Sequence, residues 1–134
     1  MQIGINVSRY LELSDQNDWL GVLAGYSVIR WMNHLPVTIP TNISSSAWKP
    51  TTAQEIISNH TAAKGNWFAK NGYPSPDWII ETSNRLNAKA WISLPLSLSV
   101  SEMAKLVLYF DKRLKHGLIV EVGNEAFNAG FSVF

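Results

Sequence analysis

The strongest chemical signal in this sequence is the pair Asn124-Glu125, which follows the apolar run Leu118 to Val122 and a single glycine, Gly123. A carboxylate at the end of a buried strand is expensive to desolvate unless it is paired or used. Glu125 is therefore read as a catalytic acid/base. A regular strand alternates its side chains, so Glu121, Gly123 and Glu125 share one face and Asn124 takes the other. For Asn124 and Glu125 to reach one ligand, the strand must end or bulge near Gly123, which glycine permits. Glu121 then lies deeper and needs a cation. Arg30, at the end of an earlier apolar strand, is the nearest by topology. The competing readings are bland. Glu125 could be a solvated carboxylate opening the next helix, welcomed by its N-terminal dipole. Arg30 could be a structural partner of Glu121, which is compatible with a role at a site.

The elements that must position these residues read as alternating strands and helices. Gln2 to Val7, Tyr26 to Met32, Ala88 to Pro95 and Leu118 to Gly123 are the expected strands. Ser14 and Asp15 can cap a helix running to Gly25. Thr52 with Glu55 three residues on opens a helix expected over Thr51 to Ala63. Ser75-Pro76-Asp77 is a helix N-terminus, followed by the face Trp78, Ile79, Thr82 and Leu86. Ser99 or Ser101 caps a last helix expected to reach Leu114, with Val100, Met103, Leu106, Val107 and Phe110 apolar and Gly117 beyond it. Residues 33–75 form a long insertion between the second strand and the helix at Ser75, and connections of that length are usually functional or disordered. Near-continuous apolar strands alternating with helices indicate a parallel sheet covered by helices.

The totals exclude several classes. At 134 residues and 46% hydrophobic, the chain has enough material for one domain with a real core. A net charge of +1 gives no field aimed at nucleic acid or an acidic membrane. No apolar segment approaches the ~20 residues that span a bilayer. The absence of cysteine removes disulfides, thiolate metal sites and cysteine nucleophiles. No spacing points to a metal or a cofactor. No leader peptide is visible after Met1, and the compartment is not set. Six tryptophans is a high count, and core packing accounts for Trp19, Trp78 and Trp91. A second use, stacking on the C–H face of a sugar, applies to the loop aromatics Trp48, Trp67 and Tyr73.

Four segments carry a resemblance: G-I-N-V from Gly4, V-I-R-W-M from Val28, W-I-S-L-P from Trp91 and V-E-V-G-N-E-A-F-N from Val120. Together, in order and spacing, they resemble the first four strands of a (β/α)8 retaining glycoside hydrolase of the cellulase- and mannanase-like clan. The resemblance implies that Glu125 protonates the leaving glycosidic oxygen and that Asn124 hydrogen-bonds the sugar 2-hydroxyl. It implies that Arg30 lies beneath the nucleophile and orders it. Trp31, Trp48, Trp67, Phe127 and Asn128 are the further expected sugar contacts. One departure is Leu96, where many relatives place a histidine after the strand-three proline.

Retention needs two carboxyl groups about 5–5.5 Å apart, and the resembled enzymes carry the attacking one on strand seven. The expectation is therefore a single partial domain over 1–134: an α/β, incomplete (half) TIM barrel of about four parallel strands with covering helices. Such a chain belongs to the hydrolase lineage but is truncated and inactive alone, because the nucleophile is missing. The alternative is a non-catalytic carbohydrate-binding or assembly protein derived from a half barrel. The expected partner is a β-glycan oligosaccharide, with no nucleic acid and no membrane. The open first and fourth strands would allow two copies to pair. The resembled enzymes are often secreted.

Overall fold

The computed structural model describes residues 21–31, 35, 49–58 and 75–123. Within them three strands, β1 (Val28–Arg30), β2 (Lys89–Leu94) and β3 (Leu118–Val122), form one parallel sheet in the order β1-β2-β3. The helices that lie wholly within them are α1 (Ala53–Ile57), α2 (Pro76–Arg85) and α3 (Val100–Asp111), and residues 21–23 are also helical. The protein is thus α/β with a small open parallel sheet. The expected strand over Gln2 to Val7 lies outside the described residues, and a barrel arc of four strands is not among them.

The helix starts follow from local chemistry. Thr52 caps α1 in a reciprocal capping box with Glu55, so two otherwise orphaned N–H groups are satisfied. Ser75 accepts from Trp78 N–H, and Pro76 takes the first helical position, where a missing N–H costs nothing. Ser99, rather than Ser101, caps α3 by accepting from Glu102 N–H. The end of α3 is earlier than the apolar pattern predicts. The N–H groups of Arg113 and Leu114 both turn back to Phe110 O, and Gly117 at φ 103° redirects the chain into β3. Residues 112–116 are a connection, and Asn84 of α2 ties it down through Arg113 O and Lys115 N.

Each parallel strand joins beside the one before it. Crossovers between parallel strands are almost always right-handed, so strands advancing in one direction put successive helices on the same side. The burial pattern agrees. Ile29, Ala90, Ile92 and Leu94 share one face and are all buried against the helices. From α2, Trp78 and Ile79 enter this core, and from α3, Leu106 and Phe110, each completely buried. Val100, expected on the apolar face of α3, is instead 83% exposed at its first residue. Away from the core, α2 and α3 are joined where Tyr109 Oη donates to Asp77. Burial, and then the Asp77 carboxylate, push the phenol up to about 12. No helix among the described residues is long and apolar enough to cross a membrane.

Candidate functional site

The face of the sheet turned away from α2 and α3 is built differently. Strand register places Arg30 beside Trp91, Trp91 beside Ile119, and Ser93 beside Glu121, so alternation puts all five on that face. Three of them meet. Arg30 Nη2 donates to Glu121 Oε2 at 2.7 Å, and Ser93 Oγ donates to the same oxygen at 3.2 Å. One carboxylate oxygen therefore ties together all three strands. The Arg30 guanidinium lies over the Trp91 ring, with Cζ 4.9 Å from the centroid, a cation–π arrangement. The pair is sheltered, with 9% of the Arg30 side chain and 26% of the Glu121 side chain exposed. This is the cation that strand parity requires for Glu121.

Arg30 ends β1, and Ser93 and Glu121 each stand one residue before the end of their strand. The node thus lies at the carboxyl ends of parallel strands, the edge where open α/β sheets and barrels bind ligands. Beyond it, β3 stops at Val122. Gly123 adopts φ 72°, and its N–H donates to Leu94 O at 2.9 Å, the last rung of the ladder. The expected strand end at Gly123 is therefore observed. A Cβ at this position would meet Leu96 Cδ1 at 3.1 Å, so Leu96 packs against the turn that leads to Asn124-Glu125. Gly123→Ala combines a left-handed φ with this close approach and is expected to destabilise by about 1–2 kcal/mol. Urea unfolding measures it, and a loss below about 0.3 kcal/mol would show that the turn relaxes freely.

The insertion reaches the same rim. Ser97 Oγ, in the loop after β2, donates to Pro50 O at 2.6 Å. Glu102 of α3 accepts from Ala53 N–H at 2.8 Å, so a carboxylate from one helix satisfies the N-terminus of another. Lys105 and that N–H hold the Glu102 carboxyl below its ordinary range. Ala53 and Ile56 are buried against the core. Residues 49–58 are therefore a docked wall beside the carboxyl ends of the strands.

Of the expected site residues, Arg30 is where the sequence puts it. Trp31 is not beside it. As the next residue along the strand it takes the opposite face, where it is 2% exposed. Its indole Nε1 donates to Ser83 Oγ at 2.9 Å, and its ring meets Trp78 edge-on at 5.4 Å. Trp31 is a packing residue between sheet and α2, because the parity that turns Arg30 outward turns its neighbour inward. Trp91 makes the converse change: expected in the core, it lies on the polar face and is partly exposed. The same two-residue alternation, counted from Arg30 across the register, would have found it. Glu125, Asn124, Phe127, Asn128, Trp48 and Trp67 lie outside the described residues. Among the described residues no cluster of His, Asp and Glu is placed to hold a metal ion. No protein-family model, no curated protein and no solved structure matches the chain.

Proposed function

We propose that this chain carries the acid/base half of a glycoside hydrolase-like site for β-glycans, at the carboxyl ends of a partial (β/α) barrel. The observation that carries the reading is the Arg30–Glu121 pair at 2.7 Å. It sets a sheltered arginine at the end of one strand, on the face opposite the helices, level with the strand that leads into Asn124-Glu125. The one-directional strand order and the docked wall at residues 49–58 support the same reading. In it, Glu125 protonates the leaving oxygen, Asn124 holds the 2-hydroxyl, and Arg30 orders an attacking carboxylate on a later strand. In this reading residues 1–134 correspond to the first four strands of such a barrel, and they bind oligosaccharide without turning it over. Titration with β-1,4-linked gluco- and manno-oligosaccharides, followed by calorimetry and by reducing-sugar assay, tests this. Binding without hydrolysis is the expected result, and no binding to any of these sugars rejects the reading.

Leu96 favours a second reading, a carbohydrate-binding or assembly module without catalysis. An apolar side chain stands against Gly123 where the resembled enzymes place a titratable one. The two readings separate on the Glu125 substitution taken up in the Discussion.

A further inference from the structure

Trp91 carries a feature that packing does not explain. Its indole Nε1 is shielded from solvent and finds no hydrogen-bond acceptor among the described residues. Buried donors in folded proteins are nearly always bonded, and leaving one unmade is costly. A phenylalanine would fill the same apolar slot beside Arg30 without that cost. The other two indoles of the described core have different surroundings: Trp31 Nε1 is bonded to Ser83, and Trp78 is held inside the core. The unmade bond belongs to the tryptophan that lies on the polar face, in the central strand, under the arginine of the proposed site.

We propose that Trp91 is a ligand-binding residue: its indole N–H donates to an oxygen of the bound sugar, directly or through one bridging water. The inference rests on the carbohydrate reading above and adds a residue to it. It also fixes how the residue acts. The Arg30 guanidinium covers the ring, with Cζ 4.9 Å from the centroid, so this face of the indole is not available as a stacking platform for a pyranose. Trp91 therefore contributes through its N–H edge, as a directional donor, and selects for an acceptor oxygen rather than for an apolar sugar face. The neighbouring groups suit that role. Glu121 accepts from both Arg30 and Ser93, so its Oε2 is already engaged and the indole N–H turns to another acceptor.

The test compares the 134-residue chain with Trp91→Phe, which keeps an aromatic ring beneath Arg30 and removes only the donor edge. Both are titrated with the same gluco- and manno-oligosaccharides. The indole N–H resonances of the wild type are followed by 1H–15N correlation spectra, with the Trp91 peak assigned from through-bond spectra of the wild type itself. The expected results are an affinity about five-fold weaker in Trp91→Phe, the loss of one ordinary hydrogen bond, and a downfield shift of the Trp91 indole proton on saturation. Sugar binding that Trp91→Phe leaves unchanged overturns the inference and leaves the carbohydrate reading standing. If the variant does not fold, the wild-type resonance decides alone, and a Trp91 indole proton unmoved by saturating sugar overturns the inference. A wild type that binds none of these sugars rejects the carbohydrate reading and this assignment with it.

Discussion

Glu121→Ala is expected to lower the stability of the chain by about 2–3 kcal/mol, and its melting temperature by roughly 6–15 °C. The argument is one of asymmetry. Holding a salt bridge out of water gains little over a well-packed apolar pair, but removing one partner leaves the other charge buried without its counterion. Arg30 is the more deeply buried of the two, at 9% exposure, so deleting the carboxylate withdraws one partner, held at 2.7 Å, that offsets the arginine's desolvation. Solvent reaches Glu121, at 26% exposure, which is why the expected loss falls below the ~3–5 kcal/mol of a fully buried pair. The Ser93 hydroxyl loses its acceptor in the same step. A double replacement, Arg30→Met with Glu121→Leu, is expected to recover part of the stability, because both charges of the pair are removed together. Chemical denaturation of the three proteins measures this. A Glu121→Ala loss within about 0.5 kcal/mol of zero would mean that water already screens the node, and the strands would not depend on it.

On the proposed glycoside hydrolase reading, Glu125→Gln is expected to lower hydrolysis by about 10²–10⁴-fold, measured with the chain joined to a segment that supplies the second carboxylate. Glutamine keeps the shape and one acceptor of the side chain but cannot give a proton to the departing oxygen. The loss should therefore depend on the leaving group. Natural oligosaccharides leave as poor alkoxides and need the proton. Aryl glycosides with acidic phenols leave without it, so on them cleavage of the aglycone should change far less. A merely structural Glu125 would slow both substrates alike, and a module without catalysis would show no activity to lose. Equal slowing of the two substrates would falsify the acid/base role.

Parts of the site were legible because the physics that places them is local. The alternation of side chains along a strand needs no tertiary knowledge. It predicts that Glu121 lies below the strand end and requires a cation, and Arg30 meets it at 2.7 Å. The break at Gly123 was legible for the same reason, since only a residue at ease with φ 72° ends the strand that way. What alternation cannot give is which of the two faces the helices will cover. Trp31 and Trp91 sit in equally apolar strands, so each is a fair candidate for core or site. Their faces were exchanged between expectation and structure by that one unknown.

The sequence by itself determined the caps of α1 and α2, the segments of β1, β2 and β3, and the need of Glu121 for a cation, because each depends on residues within a turn or on the two-residue period of a strand; the meeting of Arg30 with Glu121, 91 positions apart, required the parallel sheet. Ser75-Pro76 starts α2, and Thr52 with Glu55 starts α1, whatever surrounds them. Only the tertiary structure decided that α2 buries Trp31 against Trp78 and Ser83, that Glu102 reaches across to the N-terminus of α1, and that Leu96 closes on Gly123. Those contacts join residues 27 to 52 positions apart, and no local period encodes such separations. They exist because the strands pair in one direction and bring the helices to one side, and a sheet's covered face is a property of the assembled layers rather than of any strand within it.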